Sequence, residues 1–377
     1  MKIRLFDLGF YSLVILYSIK MLAFYNIPDM VENGIMLSAA ILLLCEITRK
    51  SYKFKELIII TVLSLLALYT CVITKQFTLL VTVLVLFASK GVPIEHIVKK
   101  MFKIHLTVFL IGTLGAILVL PFDASTLVSQ GRTLSEIRVK FLFGHANGCS
   151  LIIFWTMIEW LYLNYNKCGK KKIIFLITIE WIFSYLTKTR TAFIIFIIMV
   201  LLFHIQKGNN PIVKKIIVSI CKILFPVLAL FFCYISTAYR GLNTIVISMF
   251  DTFLSSRLRL GAAGFENYGS TALGQYIDTS LWKFDAFYGL NNFTFDNLYN
   301  QFYVNIGFVY LIIISISIYR YLKNKKLDMN TLVLFCWILY AITESDGINV
   351  CITFPIILLR DTIYWSRDKR IIKETGI

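Results

Sequence analysis

Apolar runs close to 20 residues long recur along the whole chain, and they constrain its fold more than any other feature. A run of that length spans the roughly 30 Å hydrocarbon core of a bilayer as an α-helix. Inside lipid every backbone N–H and C=O group must be bonded within the segment, so these runs predict helices. The sequence therefore predicts an all-α polytopic membrane protein.

The composition supports this interpretation and argues against a soluble or nucleic-acid-binding protein. Hydrophobic residues make up 58% of the chain and charged residues 16%, which is too little charge for the surface of a soluble protein of this size. The net charge is +17, but the basic residues lie in short clusters between apolar runs, as in cytoplasmic membrane loops. We therefore expect no nucleic-acid partner. The eight cysteines include no CxxC pair, so we expect no zinc site.

Hydropathy predicts about twelve spans within a single membrane domain, residues 1–377. They are 8–25, 30–47, 57–74, 77–89, 104–121, 147–165, 173–187, 191–205, 216–237, 296–319, 330–343 and 350–364. Every second connection carries a basic cluster, which predicts that both termini are cytoplasmic and that the chain lies in the cytoplasmic membrane. Two long outer loops follow from this topology, 122–146 and 238–295.

The basic residues on the predicted outer side are few, and most are arginines. Basic residues there oppose the usual charge bias, so each calls for an explanation. Arginine presents a planar fork that binds phosphate through two hydrogen bonds, which suits a pyrophosphate group. The alternative is that they are solvated loop charges. The full set is Arg132, Arg138, Lys140, Arg190, Arg240, Arg257 and Arg259, with Lys75, Lys188 and Lys283.

Three further ionisable residues stand out. His145 is the one histidine on the predicted outer side; His96, His105 and His204 fall near cytoplasmic helix ends. An imidazole there can accept a proton from a sugar hydroxyl, or it can be bonded to backbone at the interface. Glu159 and Glu180 lie inside apolar runs at matching predicted depth. An acid at that depth marks function by default, but a pair sharing a proton, or bonded to Ser and Thr, is the preferred interpretation.

Four short motifs occur in the order found in one membrane family. The stretch from Arg138 through Gly144-His145-Ala146 to Asn147 resembles the R…GF-x-HPN signature of Wzy-type polysaccharide polymerases, with Ala146 where that family usually has proline. The missing proline removes a constraint on that turn. The other three elements are Thr189-Arg190-Thr191, Arg257-Leu-Arg259-Leu, and Asp296-Asn297-x-Tyr299 followed by Gly307.

The resemblance covers most of the chain, and it implies a function. Wzy-type enzymes resemble O-antigen ligases and belong to a broad GT-C-like class. The implied substrates are undecaprenyl-pyrophosphate-linked oligosaccharides, polymerised at the outer face without a cofactor or metal. Flippase and chain-length regulator proteins are implied partners. The implied catalytic residues are His145, Arg138, Arg190 and Arg257. The implied substrate-binding residues are Arg132, Asn147, Arg259, Glu266, Tyr268, Asp296, Asn297 and Tyr299.

Three other functions are compatible with the sequence. A lipid-linked oligosaccharide flippase or other transporter would use a charged central pathway, for which Glu159 and Glu180 are the best support. The long segment 238–295 argues against it. An O-antigen ligase would share the chemistry and differ in its acceptor. A membrane scaffold would leave the outer arginines unexplained.

Overall fold

The structure, a computed structural model, describes residues 4–120, 124–130, 137–242, 244–283, 285, 287, 288, 290 and 293–364. These residues are mostly helical. The first six helices are α1 (Leu5–Ile19), α2 (Asp29–Thr48), α3 (Phe54–Thr74), α4 (Thr78–Ala88), α5 (Ile94–Val119) and α6 (Ala146–Leu163). The others are α7 (Lys170–Thr187), α8 (Arg190–Lys207), α9 (Pro211–Ala238), α10 (Ile245–Phe253), α11 (Arg257–Tyr268), α12 (Leu298–Gln301), α13 (Phe308–Leu322) and α14 (Met329–Tyr340).

Six of these helices are long and apolar enough to cross a membrane. They are α2, α3, α5, α6, α8 and α9, and the apolar helices α1, α4, α13 and α14 are shorter. In α6, 72% of the residues are buried, against 17–33% in the other five, so α6 is central and the others present apolar surface outward. A mostly helical fold with apolar helices of membrane-spanning length is confirmed. The count of twelve crossings stays a prediction.

Two predicted spans differ from the structure. In 350–364 the chain forms a buried 3-10 segment, Phe354–Thr362, because Pro355 lies at its first turn and Arg360 donates to the carbonyls of Ser89 (2.6 Å) and Val92 (2.5 Å). The predicted continuous span 296–319 is broken. It consists of α12, a π-helical turn at Phe302–Ile306, and α13, which begins after Gly307.

The break at Gly307 is stabilised by a segment that precedes it in the chain. Gly307 has φ +127°, and a Cβ there would collide with the backbone of Ala272. The amide of Phe308 donates to the carbonyl of Thr271 (2.9 Å), and the amide of Gln275 donates to that of Asn305 (2.9 Å). The groups that the broken helix leaves unbonded are thus bonded to residues 271–275, as burial in a membrane domain requires.

The connections collect at two ends of the bundle. The lysine-rich end comprises 49–53, 89–93, 164–169, 208–210 and 323–328. Among the described residues, the loop end comprises 20–28, 75–77, 120, 124–130, 137–145, 188–189, 239–242, 244–283, 285, 287, 288, 290, 293–297 and 341–353. At the lysine-rich end Lys50 donates to the carbonyl of Lys90 (2.7 Å) and Lys207 to that of Cys168 (3.0 Å). At the loop end, the ammonium of Lys75 lies 4.3 Å from the ring centre of Tyr276. These ends match the two predicted sets of connections, and which one faces the cytoplasm stays a prediction.

The loop end carries a small hairpin and two short helices. Strands β1 (Val128–Gln130) and β2 (Ile137–Val139) pair antiparallel, with Ser129 opposite Arg138. The hairpin is an element that the all-α prediction did not include. Helix α11 packs on α9, and a side chain at Gly261 would collide with Asn300, so glycine permits this close approach.

Helix α14 is much shorter than its neighbour α6. At the lysine-rich end the two helices are level, because the Tyr162 hydroxyl donates to Asn330 Oδ1 (2.8 Å). Toward the other end, the ring of Tyr340, the last residue of α14, stacks on Phe154 with 4.4 Å between centres. Helix α6 continues eight residues beyond Phe154, to Ala146. At 1.5 Å per residue, these two anchors place the end of α14 about 9–12 Å below the tip of α6.

Candidate functional site

Arg138 and Asn147 meet beside the tip of α6. The Arg138 Nη2 donates to Asn147 Oδ1 (2.6 Å), and its Nε donates to the carbonyl of Thr187 at the end of α7 (2.8 Å). The turn between them is held in place because Phe143 is fully buried and the Gly144 amide donates to the carbonyl of Met21 (2.8 Å). The structure thus brings together two residues of the first motif, with Arg138 half-buried.

A group of hydroxyls positions the second motif. The hydroxyls of Thr187 and Thr189 lie 2.6 Å apart, and Thr189 donates to Ser150 Oγ (2.8 Å). Ser184 donates to the carbonyl of Thr189 (3.0 Å). These bonds fix the sharp turn before α8, and they place Arg190 at its first residue.

Arg190 is exposed at the mouth of a cavity of about 430 Å³ between α8 and α10. Hydroxyls and apolar side chains share the lining, which comprises Thr191, Ile194, Ser248, Met249, Thr252, Phe253 and Ser255. Helix α10 also presents an exposed apolar face, with Ile245 81% and Val246 72% exposed. An exposed apolar face of this kind on a short helix is typical of contact with lipid.

Arg257 is buried at the start of α11. Its Nε donates to the carbonyl of Asp296 (3.1 Å), and its Nη2 donates to the carbonyl of Thr343 (2.5 Å). Its Nη1 donates to the carbonyl of Leu254 (3.1 Å). Arg257 therefore joins the start of α11 to the segments before α12 and after α14. Most of its donors are occupied, which argues for a positioning role in addition to charge.

Glu344 lies where these segments converge, and the sequence did not single it out. Its Oε1 is 3.8 Å from Arg257 Nη2, and a fifth of its side chain is exposed. Arg138 also lies within electrostatic range. The pKa of Glu344 is raised to about 8, chiefly because burial disfavours the charged form; Arg257 opposes the shift and Asp296 adds to it. The ionised form of such a carboxyl, which predominates above about pH 8, can accept a proton.

Two of the predicted substrate-binding residues are buried among the helices, and a third, Arg259, pairs with an acid of α10. Tyr299 has no exposed surface: its ring stacks on Phe232, and its hydroxyl donates to the carbonyl of Ile338 (2.9 Å). Asn297 is buried and donates to the carbonyl of Ile342 (2.8 Å). These contacts place Tyr299 and Asn297 in the core, not on a substrate-facing surface. The Nε of Arg259 lies 3.1 Å from Asp251 Oδ2.

The remaining predicted residues are dispersed over the loop end. His145 is exposed, immediately before α6. Glu266 forms an ion pair with Arg240 (2.6 Å), and the Tyr268 ring centre lies 5.9 Å from that of Phe293. Asp296 accepts from the Thr294 hydroxyl (2.9 Å) through its side chain. Arg132 lies outside the described residues.

The two acids inside the helices do not form a pair. Glu159 lies 2.9 Å from Nδ1 of His105, whose Nε2 donates to the carbonyl of Cys351 (3.2 Å), and both side chains are fully buried. His105 lies at a predicted helix end, but α5 begins at Ile94, so it is inside the bundle. Glu180 is 1% exposed, and its carboxyl oxygens have no hydrogen-bond partner within the part of the chain that the structure describes.

Over the described ranges, no group of three or more His, Cys, Asp or Glu side chains is arranged to hold a metal ion. No protein-family model, no curated protein and no solved structure matches this chain. The function must therefore be argued from the site itself.

Proposed function

We propose that the protein is a membrane glycosyltransferase of the GT-C-like class that polymerises undecaprenyl-pyrophosphate-linked oligosaccharide units into a surface polysaccharide. The observation that carries the proposal is the position of Glu344, whose Oε1 lies 3.8 Å from Arg257 Nη2 and which is within electrostatic range of Arg138. Permanent cations suit a departing pyrophosphate, and a nearby carboxyl with a raised pKa suits proton transfer.

The reaction assigns a step to each group. A hydroxyl of the acceptor sugar attacks the anomeric carbon of the donor glycan, and the bond from that carbon to the pyrophosphate oxygen breaks. The arginines stabilise the charge that develops on the pyrophosphate. The hydroxyl proton passes to a base. Glu344 is our preferred base because it lies beside Arg257 and has a raised pKa, and His145 remains the alternative from the sequence.

The lipid carrier has a route to the site in this proposal. The cavity between α8 and α10 combines Arg190 with hydroxyls and apolar side chains, a lining suited to a lipid pyrophosphate. The exposed apolar face of α10 would lie against the bilayer. Two lipid-anchored substrates held in one leaflet already have much of the orientation that transfer needs.

The proposed location follows from charge. The lysine-rich end would face the cytoplasm, with both termini, and the loop end would face outward from the cytoplasmic membrane. A separate flippase would supply the lipid-linked units to that face, and a chain-length regulator protein would limit the product.

A lipid-linked oligosaccharide transporter is the second candidate. The buried His105–Glu159 pair and the unbonded carboxyl of Glu180 favour it, because ionisable groups inside a membrane domain often form a proton pathway. An O-antigen ligase would share the chemistry of the first proposal and use a different acceptor.

The test is transfer in vesicles that contain the purified protein and lipid-linked repeat units, without nucleotide sugar, metal or ion gradient. A polymerase forms a ladder of lengthening glycans, because the pyrophosphate-linked donor already carries the driving force. A transporter moves label between leaflets and leaves its length unchanged. Leaflet exchange without a ladder would overturn the proposal.

Variants identify the groups that act. We expect Arg138→Ala to abolish the ladder and lysine to rescue poorly, because a point charge does not reproduce the fork. Arg49→Ala is the matched control, since Arg49 is exposed at the lysine-rich end, away from the loop end. If His145 is the base, His145→Ala should lower the transfer rate about 10²–10⁴-fold. If Glu344 is the base, Glu344→Gln should lower the rate by that factor instead. A normal ladder from Arg138→Ala would show that Arg138 is only a solvated charge.

A further inference from the structure

A cavity of about 490 Å³ at the lysine-rich end is surrounded by lysines. It lies between the first three turns of α9 and the connection from α13 to α14. The lysines are Lys214, Lys215, Lys222, Lys323, Lys325 and Lys326, and the other lining residues are Pro211, Val218, Ser219 and Leu327. None of the lining residues is acidic.

The sequence builds this cavity through helical spacing. Residues 214, 218 and 222 are four apart, so Lys214, Val218 and Lys222 lie on one face of α9. The Lys222 ammonium donates to the carbonyl of Lys323 (3.5 Å), which joins the two walls. Val218 and Leu327 are buried, and they form an apolar floor beneath the ammonium groups.

The six charges are not neutralised by the protein. Across the described part of the chain, none of these lysines forms an ion pair with a carboxylate. The N-terminus of the 28-residue α9 adds the positive end of its dipole. The charge bias of membrane loops explains lysines at this end, but it does not require six of them around one cavity. Mutual repulsion among ammonium groups around one cavity favours a bound anion.

We propose that this cavity binds the phosphate groups of an anionic phospholipid from the adjoining leaflet. Lysine clusters at the cytoplasmic ends of membrane helices attract anionic lipid, and basic pockets between such helices hold phosphate headgroups. Soluble phosphates share the headgroup chemistry, but the apolar floor and the position at the ends of membrane helices favour a lipid. The site is separate from the loop end and does not depend on the transferase activity.

The test measures lipid binding by the purified full-length protein in neutral detergent. Cardiolipin and phosphatidylglycerol are titrated as mixed micelles, with phosphatidylcholine as the neutral lipid and inorganic pyrophosphate as the soluble phosphate. One variant replaces the three α9 lysines by glutamine. The matched control loses the same charge on the exposed face of α5 at this end, through Lys99→Gln, Lys100→Gln and Lys103→Gln.

We expect the α9 variant to bind cardiolipin roughly 100-fold more weakly at low salt, while the control changes little. Each lysine near an anionic surface contributes about 1 kcal/mol to the binding free energy, and about 1.4 kcal/mol changes the dissociation constant by a factor of ten. A second variant, with the three loop lysines changed to glutamine, gives the same test if the α9 variant does not fold. Equal losses in variant and control would overturn the proposal, and so would binding of pyrophosphate without binding of lipid.

Discussion

Glu344→Gln tests the electrostatic argument for the site without any assay of sugar transfer. Burial raises the pKa of Glu344 from 4.5 to about 8. Between these values the folded protein keeps a proton that the unfolded chain has lost, so the free energy of unfolding falls as pH rises through that window. Each pKa unit corresponds to about 1.4 kcal/mol, which sets an upper limit of about 5 kcal/mol above pH 8. Solvent contact with the exposed fifth of the side chain reduces this to about 2–4 kcal/mol.

The free energy of unfolding of the glutamine variant does not fall in this way as pH rises, since an amide does not ionise. Its thermal midpoint should match that of the parent near pH 5 and exceed it near pH 9. The measurement is tryptophan fluorescence on heating, in detergent, at pH 5, 7 and 9. Glu266→Gln is the control, because that carboxylate pairs with Arg240 at the surface. A constant difference between Glu344→Gln and the parent across this range would refute the argument.

The same group predicts the pH dependence of transfer. A base acts in its deprotonated form, so activity of the parent should rise as pH passes through about 8. The stable Glu344→Gln variant should form no ladder at any pH. A parent whose transfer rate is flat between pH 6 and pH 9 would contradict the role of Glu344 as base.

Two other predictions concern topology and the buried acids. Cysteines introduced at Ser129 and Ser270 should react with an impermeant reagent from one side of the membrane, and a cysteine at Lys171 from the other; labelling of all three from one side would refute the topology. Glu159→Ala should cost about 3–5 kcal/mol because it leaves a buried histidine unpaired, whereas Glu180→Leu should be neutral or stabilising, since Glu180 loses no hydrogen bond. Thermal midpoints check both variants. A larger fall in the midpoint for Glu180→Leu than for Glu159→Ala would contradict these roles of the two acids.

The helices could be predicted from the sequence because lipid imposes a simple rule on apolar runs. Helix α3 ends at Thr74, as predicted, and α8 extends the predicted span 191–205 by only a few residues. The rule fails where other parts of the chain supply backbone partners. The break at Gly307 depends on bonds to 271–275, and the 3-10 segment at 354–362 depends on Arg360. Hydropathy contains no information about either contact.

The site was harder to predict than the helices. Arg138 and Asn147 are nine residues apart, so their pairing was within reach of a local motif. Glu344 follows a short apolar run in a turn that reads as an ordinary polar connection. Its contact with Arg257, 87 positions earlier in the chain, and its electrostatic interaction with Arg138 arise only from the fold. Likewise, the sequence predicts the depth of Glu159 in the bundle, but it does not predict the rotation of the helices, which turns Glu159 toward His105.

The shortness of α14 has a consequence for where the reaction would take place. Because α14 ends early, the chain turns toward Glu344 about 9–12 Å below the tip of α6. A headgroup layer is about 5–8 Å deep on each face of a bilayer. In the proposed reaction, a lipid pyrophosphate could therefore meet Arg257 and Glu344 at its own depth, with its polyprenyl tail still in the membrane. The enzyme would then not have to lift the lipid out of the bilayer, and the free-energy cost of doing so would be avoided.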